Sequence, residues 1–180
     1  MTCWKSFNLT KEFGQNRLRI LSVFTAILSF IILFVPFSIM FQHVEIHEPG
    51  LWKILIALFI LPMLHKLAHV FPTIFTNKDV HLRWAFKYKY IPFLRLKVKS
   101  SLSKRTSIIM TLAPTVMITI PLLIGAIVFP TFYPILIILT AIHIGISLSD
   151  WLILSYFVQA PKQCVVEKSK NNYDILIQSP

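Results

Sequence analysis

The chain has 180 residues, of which 56% are hydrophobic and 14% are charged, and its formal net charge is +11 at pH 7. Soluble domains carry about 25% charged residues, so this composition excludes an ordinary globular domain and indicates an integral membrane protein. The excess of Lys and Arg does not indicate nucleic-acid binding. These residues lie between apolar runs, and no zinc-finger, helix-turn-helix or RNA-binding signature accompanies them.

Four apolar stretches are long enough for the roughly 20 residues that cross a hydrocarbon core. They occupy residues 20–41, 51–75, 108–129 and 132–158. The first is too long for a signal-peptide core, so we interpret it as an uncleaved anchor. We therefore predict one all-α integral membrane domain over residues 1–180, with four transmembrane helices, a basic loop at 76–106 and a tail at 159–180.

The distribution of basic residues predicts how these helices are oriented. Lys and Arg crowd the N-terminal segment, residues 76–106 and the tail, whereas residues 42–50 contain two glutamates and no Lys or Arg. Because cytoplasmic loops carry an excess of Lys and Arg, we predict a multi-pass protein with both termini in the cytoplasm. Cys3 and Cys164 would then face a reducing compartment as free thiols.

The basic loop has a pattern of its own. Apolar and basic residues alternate over residues 86–90 and, after Pro92, again over residues 94–99. This period of two predicts a short cytoplasmic β-hairpin between the second and third transmembrane helices. The hairpin is either an amphipathic segment whose cations meet anionic lipid headgroups, or an edge to which an extended peptide adds as a further strand. In the second interpretation the peptide-binding residues are Tyr88, Tyr90, Leu94 and Leu96.

Two histidines in the second apolar stretch form a candidate metal site. His65 and His69, in the sequence HKLAH, lie four residues apart on one helical face, so both imidazoles can reach one metal ion. In the metalloprotease signature H-E-x-x-H the Glu is the general base, and here Lys66 occupies its position. An ammonium group cannot accept a proton, so the motif predicts metal ligands without the base.

Asp150 is the third candidate ligand because its depth in the membrane matches that of the histidines. At 1.5 Å per residue, His69 and Asp150 both lie about 27 Å from the outer ends of their helices, and His65 about 21 Å. Two His and one carboxylate are a common zinc ligand set. The alternative is an Asp near a helix end that is solvated or paired with Lys162 or Lys66.

His143 lies seven residues before Asp150 on the same predicted helical face. Three interpretations of this residue stay open. It is a fourth ligand, a hydrogen-bonding partner that orients a ligand, or a polar packing residue bonded to a neighbouring helix.

These residues resemble those of a bacterial membrane family described as putative zincin peptidases, distantly similar to the site-2 proteases. The resemblance extends from about Leu51 to Ile177. Its matching features are His65 and His69, the Leu112–Pro114 segment, the Gly145–Asp150 segment and the tail around Val165 and Tyr173–Ile177. The resemblance implies zinc as the cofactor, ligands at His65, His69 and Asp150, and the bacterial cell membrane as the location.

The departure at Lys66 leaves several functions open. The first is a catalytically impaired pseudoprotease, or a very slow enzyme, that binds membrane peptides or other membrane proteins. The second is a non-enzymatic immunity or regulatory factor that binds partner proteins in the lipid bilayer. The third, a transporter subunit with His143 and Asp150 as a proton relay, is disfavoured because no inverted repeat is detectable. No nucleic-acid partner is predicted, and the oligomeric state stays open.

Overall fold

The structure is a computed structural model, and it describes residues 2–76, 80–88, 91–98, 102–169 and 172–177. The helices of these residues are α1 (Leu9–Phe13), α2 (Gln15–Met40), α3 (Leu51–Thr76), α4 (Lys104–Pro114), α5 (Ile120–Val128), α6 (Tyr133–Ile146) and α7 (Leu148–Gln159). A π-helical turn, Thr115–Thr119, joins α4 to α5, and a 3-10 turn, Pro130–Phe132, precedes α6.

The helices coincide with the four apolar stretches of the sequence. Within the described residues, three helical segments are long and apolar enough to cross a membrane: Gln15–Met40, Leu51–Pro72 and Lys104–Val128. The fourth stretch is a bent pair, because the axes of α6 and α7 differ by 48°. Gly145 and Ser147 stand at this break, and such small residues are a recognised cause of helix kinks. The straight fourth helix that the depth estimate assumed is therefore absent from the described structure.

The strands correct the prediction of an all-α fold. Those of the described residues are β1 (Thr2–Phe7), β2 (Val80–Tyr88), β3 (Ile91–Val98), β4 (Leu102–Ser103), β5 (Cys164–Ser169) and β6 (Asn172–Ile177). One antiparallel sheet has the order β1-β6-β5-β4, so it joins both ends of the chain to the segment just before α4. The sheet forms because Phe7, Val166 and Ile175 bury their side chains in one cluster with Phe157 of α7.

The second sheet confirms the predicted hairpin. Strands β2 and β3 pair antiparallel, with Trp84 opposite Leu94 and Leu82 opposite Leu96. The first strand begins at Val80, earlier than the alternating residues indicated. Of the predicted peptide-binding residues, Tyr88 ends β2, Leu94 and Leu96 lie in β3, and Tyr90 lies outside the described residues.

Close packing of α2 against α6 positions the C-terminal end of α6. A Cβ atom added to Gly145 would lie 2.7 Å from Cβ of Ala26 and 2.7 Å from the carbonyl oxygen of Ser22. The Ser22 hydroxyl donates a hydrogen bond to the carbonyl oxygen of Gly145. Small residues that let two helix backbones approach in this way are typical of membrane helix packing.

Candidate metal site

The three predicted ligands come together where α3 meets the start of α7. His65 and His69 are one turn apart on α3, and their ring centroids are 4.9 Å apart. Asp150 lies in the first turn of α7, just after the bend at Ser147. One ligand atom from each residue can be chosen so that all three lie within 4.8 Å of one another. The structure therefore places the three side chains close enough to hold one metal ion.

The carboxylate of Asp150 lies between the two imidazoles. Its Oδ2 atom is 3.1 Å from Nε2 of His65 and 3.3 Å from Nε2 of His69. His65 is buried and the other two side chains are mostly buried. Among the described residues, no donor reaches Asp150 Oδ2 with the geometry of a hydrogen bond. A buried carboxylate oxygen without a donor is costly, so a cation at this point would satisfy it.

The proton on His69 has a position fixed by its surroundings. Nδ1 of His69 lies 2.8 Å from the backbone carbonyl oxygen of Met110. A carbonyl can only accept a hydrogen bond, so Nδ1 carries the proton and donates it. In the neutral imidazole, Nε2 is then a bare lone pair, and it faces the Oδ2 atom of Asp150. Two electron-rich atoms at 3.3 Å repel each other unless a cation lies between them.

His143 lies behind His65, on the side away from Asp150. Its Nε2 atom is 3.1 Å from Nδ1 of His65, and its Nδ1 atom is 2.8 Å from the hydroxyl oxygen of Thr119. His143 is fully buried and Thr119 is nearly so. The sequence predicted that His143 belongs near the site, but Thr119 was missed. No spacing pattern links Thr119 to His143, because their contact depends on how the π-turn packs against α6.

The comparison with protein families agrees with this geometry. The family model described as "Putative zincin peptidase" matches residues 58–165, more than half of the chain. The chain belongs to the putative zincin peptidase family. No curated protein and no solved structure matches it. The matched region contains all three residues of the cluster, and two imidazoles with one carboxylate form a donor set that suits the zinc implied by the family's name.

Lys66 is the residue in which this zincin family member departs from H-E-x-x-H. Its side chain is exposed, and it follows the buried His65 directly on α3. Within the described residues, the cluster of potential ligands consists of His65, His69 and Asp150, and no glutamate belongs to it. Glu12, for example, accepts a hydrogen bond from the Tyr156 hydroxyl at 2.6 Å, beside the four-stranded sheet. Within the described residues, the ligand cluster therefore contains two histidines and an aspartate, and Lys66 stands at the position of the H-E-x-x-H glutamate.

Proposed function

We propose that this zincin family member is a zinc-binding membrane protein with strongly impaired peptidase activity, a pseudoprotease that binds membrane peptides. In this proposal His65, His69 and Asp150 hold one zinc ion. The observation that supports it is that Nε2 of both histidines lies close to Oδ2 of Asp150. Because Nδ1 of His69 donates to the Met110 carbonyl, the lone pair on Nε2 of a neutral His69 is directed at that oxygen. That arrangement is unfavourable without a cation and favourable with one.

The donor set also fits the type of zinc site. Structural zinc sites have four protein ligands, whereas catalytic ones commonly have three and leave a position open. His65, His69 and Asp150 form a set of three within the described residues. When bound, zinc would act as a Lewis acid toward a carbonyl group. His69 would be oriented by Met110 and His65 by His143.

The impairment follows from Lys66. A charged ammonium group accepts no proton, and the loss of a general base costs typically about a hundred- to ten-thousand-fold in rate. Lys66 is exposed, so its long side chain can carry the ammonium group toward the polar membrane surface. The candidate ligands are present in a member of the family while the glutamate of the motif is replaced, which is the combination expected of a pseudoprotease.

The topology of the sheet supports four membrane crossings. β1 precedes α2 and β6 follows α7, yet the two strands pair with each other. Segments that pair in one sheet lie on one side of a membrane, so the helices between them must cross an even number of times. We propose four crossings, with α6 and α7 as one bent crossing. The basic residues favour the cytoplasmic side for the sheet and both termini.

The hairpin is the proposed contact for peptides. It lies close in sequence to α3, which carries two of the proposed zinc ligands. In the described residues it is a two-stranded sheet, so each of its strands has one edge without a neighbouring strand. An extended peptide could add to the β3 edge at Leu94 and Leu96, or the basic residues could bind lipid headgroups. We favour the peptide because leucines alternate with basic residues in the sequence of β3, a pattern typical of a strand with one apolar face.

The first experiment measures zinc per mole in detergent-purified protein. The wild type should contain close to one zinc, and His65→Ala and Asp150→Ala should contain none above background. His43→Ala is the matched control, since His43 is exposed and lies in the loop between α2 and α3. Its zinc content should equal that of the wild type. A wild type without zinc, or zinc retained in both site variants, would overturn the proposed metal site.

The second experiment tests the impairment with a quenched-fluorescent peptide library in the same detergent. Lys66→Glu restores a proton acceptor and should raise cleavage at least about a hundredfold. Lys66→Gln is the control, because it removes the charge without supplying a base. Wild-type cleavage as fast as that of Lys66→Glu would show that the protein is an active peptidase and not a pseudoprotease.

A further inference from the structure

We propose that Thr119 is a positioning residue for the metal site: its hydroxyl group accepts a hydrogen bond from His143 and thereby holds His65 in the tautomer that binds zinc. The inference rests on the proposed zinc site and concerns a residue that does not touch the metal. Its basis is a continuous chain of contacts, from Nε2 of His65 through both rings to Thr119 Oγ1.

The position of each proton in this chain follows from the first atom. To bind a metal, Nε2 of His65 must be a bare lone pair, so the His65 proton lies on Nδ1. That Nδ1–H group faces Nε2 of His143 at 3.1 Å, so Nε2 of His143 must accept. The proton of His143 then lies on its own Nδ1, which faces Thr119 Oγ1 at 2.8 Å. The hydroxyl oxygen is the acceptor at which the chain ends.

The two zinc-binding histidines are oriented in different ways. His69 donates to the backbone carbonyl of Met110, an acceptor that no side-chain substitution removes. His65 depends on two side chains in succession, His143 and Thr119. Substitutions of His143 or Thr119 should therefore weaken zinc binding through His65 alone.

Because the contact is buried, water cannot easily replace the Thr119 hydroxyl as the acceptor. His143 is completely inaccessible to solvent and Thr119 is 6% exposed, so water has little access to the end of the chain. Without the hydroxyl, the Nδ1–H group of His143 would lose its acceptor, which favours moving the proton to Nε2. Nε2 would then donate to His65 Nδ1, and the His65 proton would move to Nε2, where it blocks the metal. Removing the Thr119 hydroxyl thus stabilises the tautomer of His65 that cannot bind zinc.

The local backbone explains how a threonine reaches this position. Pro121 has no N–H group to continue the helical ladder, and the N–H of Ile120 bonds to the carbonyl of Thr115, five residues back. This π-helical turn ends at Thr119 and changes the face that the following residues present. As the last residue of this turn, Thr119 faces α6 and contacts His143 there.

The test compares zinc affinity, by competition with a chelator, among three threonine variants. Thr119→Val keeps the shape and removes the hydroxyl, and its zinc affinity should fall about ten- to a hundredfold. Thr119→Ser keeps the hydroxyl and should bind as the wild type does. Thr140→Val is the matched control, because Thr140 is buried one turn before His143 and its hydroxyl donates to Leu136 of its own helix. It should also bind normally.

The outcomes separate this inference from the proposed function. A wild type that binds zinc, with unchanged affinity in Thr119→Val, overturns the role of Thr119 and leaves the metal site standing. A wild type without zinc overturns the site itself. If Thr119→Val does not fold, nitrogen-15 NMR of histidine-labelled, zinc-loaded wild type can show which ring nitrogens carry protons and so test the proposal. Protons on Nδ1 of both His65 and His143 support the proposal, and a proton on Nε2 of His143 contradicts it.

Discussion

Nδ1 of His69 lies 2.8 Å from the carbonyl oxygen of Met110, and this hydrogen bond links α3 to α4 beside the proposed metal site. The acceptor belongs to the backbone of a helix, so the direction of the His69 lone pair is set by helix packing. That lone pair faces Asp150 Oδ2, which belongs to a third helix, α7. Because three helices meet at this point, metal binding at the proposed site would be coupled to the stability of the fold.

Replacing Asp150 by Asn should therefore separate metal binding from folding. The amide of Asn can donate an N–H to the bare Nε2 of a neutral His69, whereas the carboxylate repels that lone pair. In EDTA, the thermal midpoint of Asp150→Asn should equal or exceed that of the wild type. Zinc at a hundred times its dissociation constant should stabilise the wild type by about 2.7 kcal/mol and the variant hardly at all. A variant much less stable than the wild type in EDTA would contradict this reasoning.

The C-terminal end of α7 offers a second test. The ammonium group of Lys104 donates hydrogen bonds to the carbonyl oxygens of Val158, at 2.9 Å, and of Ala160. These carbonyls have no partner within the helix, and a cation there is attracted to the negative end of the helix dipole. Lys104→Met should lower the free energy of unfolding by about 1 kcal/mol. Arg105→Met, at the exposed neighbouring residue, is the control and should change it little, as urea titration in detergent would show. Equal losses in both variants would refute the capping role.

The two free cysteines should differ in reactivity. Cys3 is exposed in β1, whereas Cys164 is buried in β5. Burial raises the pKa of the Cys164 thiol, and the nearby charge of Lys104 opposes this only in part. A raised pKa means less thiolate at a given pH, so maleimide at pH 7 should label Cys3 in the native protein and Cys164 only after unfolding. Rapid native labelling of Cys3→Ser would contradict the buried position of Cys164.

The sequence was informative where the relevant distances are fixed along a helix. The spacing of His65 and His69 and the matched depth of Asp150 depend only on helical geometry, and the structure brings these residues together. The depth argument tolerated the 48° bend because Asp150 lies only three residues beyond Ser147. A bend so close to the residue moves it little along the membrane normal.

Features that depend on contacts between distant segments could not be predicted in this way. Strand β1 has exposed residues at every position but Phe7, so it shows no alternation of apolar and polar residues. Its pairing with β6 spans nearly the whole chain and leaves no local signal. Thr119 was missed for the same reason, since its contact with His143 depends on a π-helical turn and on the packing of α6. The expectation that the metal is zinc came from the family resemblance, because the spacing of the ligands alone does not identify the metal.

Gly145 should be the most sensitive packing position between α2 and α6. An alanine there would place its Cβ 2.7 Å from both Ala26 Cβ and the carbonyl oxygen of Ser22, and a backbone atom cannot move aside cheaply. Gly145→Ala should cost about 1–3 kcal/mol of stability in a urea titration. It should also weaken zinc binding, because α6 carries His143 two residues earlier. Gly125→Ala is the control, since its Cβ would meet only the flexible tip of Leu136 at 3.6 Å. If both variants behaved like the wild type, the α2–α6 contact would be looser than these distances require.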